Sequence, residues 1–142
     1  MEVLVDTSIW SLALRRPKGK TSDIERSLTA TLGDLIRDDR ARLIGPIRQE
    51  LLSGIREPTQ YERLRNYLRS FPDQSIGTGD YEQAAHCSNQ CRSRGIAGSD
   101  VDFLICAVAL ARQWQVFTTD ADFKTYARAI PIAMYSLAGR SW

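Results

Sequence analysis

The sequence predicts an α/β protein built on a mainly parallel central sheet of about five strands, and three observations carry that expectation. Short, wholly apolar runs such as Val3-Leu4-Val5 lack polar alternation, as strands buried on both faces require. Longer stretches with apolar residues at helical spacing separate these runs, the pattern of βαβ units. Acidic residues stand at the ends of the runs and in the first turns of the following helices, positions that share one edge of a parallel sheet.

Each element follows in turn. After the strand Val3-Leu4-Val5, Thr7 and Ser8 start a helix whose apolar side chains are Ile9, Trp10, Leu12 and Leu14. Arg15 to Ser22, with Pro17 and Gly19, reads as an exposed loop. A second helix is expected from about Ser22 to Ile36, and Asp38-Asp39-Arg40 turns the chain into a second strand at Leu43-Ile44. Gly45-Pro46 ends that strand and a helix then carries Ile47, Leu51, Leu52 and Ile55 inward. Glu57-Pro58 breaks it, and Thr59 opens a helix with Tyr61, Leu64, Leu68 and Phe71. Ser75-Ile76 gives a short strand, and Asp80 to Arg94 a helix ending at Gly95. Val101 to Ala111 is apolar nearly all round, so this helix should be packed on more than one side. Val116 to Thr118 is the next strand, Asp122 to Ala129 a short helix, and Ile132 to Tyr135 an edge strand.

A chain of 142 residues, 43% hydrophobic and 25% charged, is one domain's worth of an ordinary globular protein, and we expect a single domain over residues 1–142. The most apolar run, Phe103 to Ala111, is too short to span a bilayer, and with no basic stretch leading into an apolar one at the N-terminus, secretion by a cleaved signal is not expected. No membrane association is expected, and a cytoplasmic location is. Three cysteines, Cys87, Cys91 and Cys106, form no framework spacing and fit a reducing compartment. Cys87 and Cys91 share a helical face beside His86, but a zinc site needs about four ligands, and buried small side chains are the better reading.

Four acids would converge at the sheet edge: Asp6 and Asp120 at strand ends, Glu50 and Asp102 in early helical turns. Each has a local alternative. Asp6 could cap the following helix, Glu50 and Asp102 suit the positive end of a helix, and Asp120 could be a simple loop acid. Ser99-Asp100-Val101-Asp102 has the form of a capping box. Asp100 either shares the site or simply favours the helix start. Together, carboxylates from four distant stretches repel one another unless a cation fills the space between them. Oxygen ligands without histidine or cysteine favour a hard cation, Mg²⁺ or Mn²⁺, over zinc. One ion, or two about 4 Å apart, would then serve phosphodiester hydrolysis. Thr7, Ser8 and Thr118 stand beside the acids as hydroxyl donors. The only histidine, His86, lies far from every one of the acids in sequence, which argues against histidine acid–base chemistry.

The net charge is +2, but setting the four acids aside leaves 13 acids against 19 basic residues on the rest of the surface. Arg15, Arg16, Lys18 and Lys20 form the densest basic stretch and are the candidates for guiding a polyanion to the acidic mouth.

These residues carry a family resemblance. Val3-Leu4-Val5-Asp6-Thr7-Ser8 resembles the opening of a PIN domain, whose first strand ends in an acid followed by a hydroxyl residue. Arg48-Gln49-Glu50-Leu51-Leu52-Ser53-Gly54 is similar to its second motif, Asp102-Phe103-Leu104-Ile105-Cys106-Ala107 to its third, and Phe117-Thr118-Thr119-Asp120-Ala121-Asp122-Phe123 to its closing Thr-x-Asp-x-x-Phe motif. The resemblance spans essentially the whole chain, with Cys106 where alanine is common, and in size it is nearest to the VapC toxins. It implies a PIN-like three-layer α/β/α sandwich and a Mg²⁺-dependent ribonuclease, with Asp6, Glu50, Asp102 and Asp120 around the metal. It also implies a homodimer and a VapB-type antitoxin that covers the acidic groove. Two rivals remain at this point: a catalytically silent PIN-like module that binds RNA or protein, and a Mg²⁺-binding receiver domain. The receiver would need an acidic pair after the first strand, where this chain has Asp6 alone.

Overall fold

The first strand, β1 (Val3–Val5), has no exposed side chain on either face, and it pairs in parallel with two neighbours. The computed structural model describes residues 1–15, 19 and 21–137. Within them the chain runs β1, α1 (Thr7–Leu14), α2 (Asp23–Arg37), β2 (Ala41–Arg42), α3 (Gly45–Leu52), α4 (Pro58–Leu68), α5 (Thr78–Arg92), α6 (Asp100–Arg112), β3 (Gln115–Phe117), α7 (Asp122–Tyr126) and β4 (Ala133–Met134). The described strands form one sheet in the order β2-β1-β3-β4, every pair parallel, with Leu4 opposite Arg42 on one side and Val116 on the other.

That order creates a switch point. The connection leaving β1 crosses to β2 on one side, while the connection leaving β3 crosses to β4 on the other. Right-handed crossovers therefore place their helices on opposite faces, and a crevice opens between the carboxyl ends of β1 and β3. Asp6 is the first residue beyond β1, and Asp120 is the third beyond β3.

The core is continuous across both faces. Seven successive residues of α6, Phe103 through Ala109, are buried, because this helix packs on α5 and on β3 at once. Trp10 is fully buried in α1, where its indole donates to the Val5 carbonyl at 3.0 Å and its ring meets Phe71 edge-on at 5.1 Å. The N-terminus of α2 carries a full capping box between Ser22 and Glu25. Its apolar stripe of Leu28, Leu32 and Leu35 is buried. Arg48 of α3 reaches α4 and the turn beyond it, donating to Asp73 at 2.8 Å, to the Leu68 carbonyl at 3.0 Å and to the Phe71 carbonyl.

The elements differ from the sequence expectation in detail. The second strand is Ala41–Arg42, two residues earlier than expected, because extended Ile44 is already the residue that caps α3. Ser75-Ile76 is not a strand; the Gln74 amide donates to the Leu43 carbonyl at 3.2 Å, while the Ser75 carbonyl accepts from the Arg112 side chain at 2.6 Å. This accounts for four strands where about five were expected. Among the described residues no helix is long and apolar enough to cross a membrane.

Candidate active site

Asp6 lies at the carboxyl end of β1 and is 8% exposed, one of two buried polar residues among those described; the other, Thr118, follows β3 and is fully buried. The backbone of Asp6 caps α1, its carbonyl accepting from the Ile9 and Trp10 amides, but its carboxylate takes no part in the cap. That carboxylate turns into the crevice. One of its oxygens, Oδ2, accepts from the Thr118 hydroxyl at 2.7 Å and from the Ser8 hydroxyl at 3.0 Å. A buried carboxylate stays charged only when donors of this kind replace water. The same two hydroxyls extend the network: Ser8 Oγ accepts from the Thr119 amide at 3.0 Å, and Thr118 Oγ1 from the Asp120 amide at 2.9 Å. Thr118 thus ties the acid after β1 to the acid after β3.

Asp102 is half-buried in the first turn of α6. Its amide donates to Ser99 Oγ at 3.1 Å, the first half of a capping box. The reciprocal half is replaced, because Asp102 Oδ2 accepts at 2.6 Å from the hydroxyl of Tyr126, which is 1% exposed. Burial pushes the Asp102 carboxyl above the usual range. The Tyr126 hydroxyl opposes that push, and the charges of Asp6 and Asp120 add to it. Tyr126 is itself driven up, first by burial and then by the Asp102 carboxylate.

Asp102, Asp120 and Asp122 each offer a carboxylate oxygen, and these oxygens lie within 4.8 Å of one another. Asp120 and Asp122 reach that arrangement through a tight turn, in which the Asp122 amide donates to Asp120 Oδ1 at 2.9 Å. The sequence reading gave Asp122 only the role of a helix start, which it also fills as the first residue of α7. The Asp-x-Asp spacing directly after a strand was the available signal.

Glu50 stands exposed on α3 at the rim. Partial desolvation raises its carboxyl, Thr7 opposes, and Asp6 and Asp102 raise it further, so the rim acid senses both inner ones. Solvent screening keeps that push small for an exposed side chain. The Thr7 hydroxyl is buried and meets no acceptor at hydrogen-bonding geometry. Asp100 is exposed at the start of α6 and is not one of the three clustered acids; it lines a groove between α5 and α6 with Tyr81 and Arg92. Arg15 lines an open groove of about 650 Å³ with Arg56, Arg63 and Tyr67. Arg16, Lys18 and Lys20 lie outside the described residues.

The donor set fits a hard divalent cation. Three carboxylate oxygens close enough to share one ion, with a fourth buried carboxylate and a fifth on the rim, are oxygen ligands without a soft partner. The carboxyl of Asp102 is raised first by burial and then by the charges of Asp6 and Asp120, and a nearby cation would act against both.

The fold has solved counterparts. FitAcB from Neisseria gonorrhoeae superposes with a TM-score of 0.73 at 19% identity, covering 94% of this chain and 96% of that one. VapBC2 from Rickettsia felis, bound to a DNA fragment from its promoter, gives 0.74 at 16%, covering 95% and 98%. FitAB bound to an IR36 DNA fragment gives 0.72 at 20%, covering 94% and 93%. No curated protein sequence matches the chain significantly. Residues 3–129, from the start of β1 to just beyond α7, match the PIN domain, and the chain belongs to that family.

Proposed function

We propose that the protein is a divalent-cation-dependent endoribonuclease and the toxin of a type II toxin–antitoxin pair. The observation that carries the nuclease reading is the convergence of Asp102, Asp120 and Asp122 beside buried Asp6, at the switch point between β1 and β3. PIN domains are generally nucleases. Likeness to the VapBC2 and FitAB complexes supports the toxin reading and, with it, a VapB-type antitoxin as partner; a homodimer and a cytoplasmic location belong to the same proposal.

Asp6, Asp102 and Asp120 would hold the ion, with Asp122 joining them and Glu50 at the rim. Mg²⁺, or Mn²⁺ in its place, supplies Lewis-acid chemistry there, making water a better nucleophile and neutralising phosphate charge. The protein's own groups do the rest. Ser8 and Thr118 hold the Asp6 carboxylate in one orientation, so that it needs no rearrangement when substrate arrives. Glu50 or Asp120, both exposed at the mouth, would orient the attacking water. Thr7, whose hydroxyl lies beside the Glu50 carboxylate, would donate to a phosphate oxygen. Arg15, with Arg16, Lys18 and Lys20 of the same stretch, would draw the RNA backbone toward the mouth, giving salt-sensitive binding.

The test is cleavage of single-stranded RNA by purified protein with Mg²⁺ or Mn²⁺. Asp6→Asn should reduce the rate to background while leaving the circular dichroism spectrum and thermal melt of a folded domain. Undiminished, EDTA-resistant cleavage by a clean Asp6→Asn preparation would refute the mechanism. Cation binding without any cleavage would instead favour a catalytically silent RNA-binding module.

A further inference from the structure

Tyr126 is a buried polar group for which the family resemblance and the mechanism above give no role. It sits at the end of α7, 24 residues from Asp102 in sequence, and its hydroxyl donates to Asp102 Oδ2 at 2.6 Å. The ring is packed on several sides. Phe103 lies at 5.0 Å and Phe123 at 5.3 Å between ring centroids. On a further side the backbone of Gly98 approaches so closely that a β-carbon there would fall 2.6 Å from the Tyr126 hydroxyl and 2.8 Å from the tip of Phe103. Glycine is what allows this contact. A hydroxyl held by that much packing cannot swing away, so it fixes the plane of the carboxylate it touches. Asp102 is also the one member of the three-acid cluster that is not fully exposed, and it lies where orientation matters most.

We propose that Tyr126 is the positioning residue of the cation site: it occupies one oxygen of Asp102 and so presents the other toward Asp120 and Asp122 as a single-oxygen ligand. This rests on the cation-dependent nuclease reading and deepens it. Partners that orient a ligating carboxylate commonly contribute about 10- to 100-fold in metal affinity. A phenol suits the task because it is neutral and donates one hydrogen bond, ordering the carboxylate without neutralising it. An arginine at that place would order Asp102 but compete with the cation.

The test is Mn²⁺ titration of the full chain, read by the loss of the free-ion electron paramagnetic resonance signal and by the spectrum of the bound ion. Tyr126→Phe should weaken Mn²⁺ binding about 10- to 100-fold and alter the bound-ion spectrum. At saturating Mn²⁺ its cleavage rate should return to within a few-fold of wild type, a rescue that general loss of packing would not show. Ile130→Val, which trims a neighbouring core side chain, should leave Mn²⁺ affinity unchanged. If Tyr126→Phe does not fold, Gly98→Ala, which keeps the hydroxyl but displaces it, should show the same weakening. Binding within two-fold of wild type, or an equal loss in Ile130→Val, overturns the role of Tyr126 alone. Failure of the wild-type protein to bind Mn²⁺ overturns the cation reading itself, and this inference with it.

Discussion

Thr118→Val tests whether the hydroxyl network, rather than packing alone, holds the mouth together. The two side chains have nearly the same shape, so the fully buried pocket around residue 118 should stay filled and only the hydroxyl is lost. Three contacts disappear with it, one of them the hydroxyl–hydroxyl contact with Ser8 at 3.2 Å. Asp6 loses its shorter donor, at 2.7 Å, and the Asp120 amide loses the acceptor it reaches at 2.9 Å. A hydrogen bond to a charged group contributes about 1.5–3 kcal/mol, and an orphaned amide costs about 1–3 kcal/mol. Ser8 still donates to Asp6, and Asp120 is exposed enough for water to recover part of the loss. A net cost of about 3 kcal/mol follows, which for a domain of this size lowers the melting temperature by about 6–12 °C. Thr118→Ser keeps the hydroxyl and gives up one methyl group, a loss of about 1 kcal/mol. Calorimetric melting in EDTA at neutral pH compares the two variants directly. If valine costs no more than serine, the hydroxyl bridge between the acids contributes nothing to stability and the argument for it fails.

Further outcomes follow from the carboxylates. Asp102 and Glu50 have folded-state pKa values above their unfolded ones, chiefly through desolvation, so each penalises the folded state at neutral pH. The penalty is relieved as pH falls through the raised folded values toward the unfolded values of about 4. Metal-free protein should therefore gain melting temperature between neutral and about pH 5. Asp102→Asn should be more stable than wild type at neutral pH and should lose much of that gain; identical pH profiles for the two proteins would contradict the assignment. Asp80 behaves in the opposite sense. Its carboxyl is held below the usual range, first by the Arg112 guanidinium at 3.0 Å and then by the Gly77 amide. Its contribution is present above the unfolded value of about 4 and is lost as pH falls through the lower folded value. Asp80→Asn should cost about 1–2 kcal/mol at neutral pH, and the difference from wild type should shrink in melts as pH falls through the lowered folded value.

How much of this was legible in the sequence can be followed residue by residue. Val3-Leu4-Val5 and Val116-Phe117 announce central strands because burial on both faces leaves no room for a polar side chain. The all-round apolar pattern of α6 likewise announces a helix packed on two sides. Strand edges were less legible. Leu43 and Ile44 are as apolar as a strand and fully buried, yet they form the extended entry to α3, since burial and pairing are separate properties. Within the site, Asp6, Asp102 and Asp120 could be placed because a parallel sheet gathers strand ends and helix starts. Asp122 and Tyr126 could not be placed in the same way. Their positions depend on the tight turn after β3 and on the close approach of Gly98, which are tertiary facts.

The partners of the acids separate two kinds of carboxylate in this protein. Three acids that tie distant segments together meet a guanidinium: Glu2 with Arg42, Asp73 with Arg48, Asp80 with Arg112. At the mouth the donors reaching Asp6, Asp102 and Asp120 are instead the hydroxyls of Ser8, Thr118 and Tyr126 and the amide of Asp122. Neutral donors orient a carboxylate without cancelling its charge. They leave the negative potential intact, at a cost in stability that the raised carboxyls of Asp102 and Glu50 register. A fold gains nothing from bearing that cost in the metal-free state. Such an arrangement suits a site that a cation would complete, and the tight packing behind Asp102 holds its carboxylate in place.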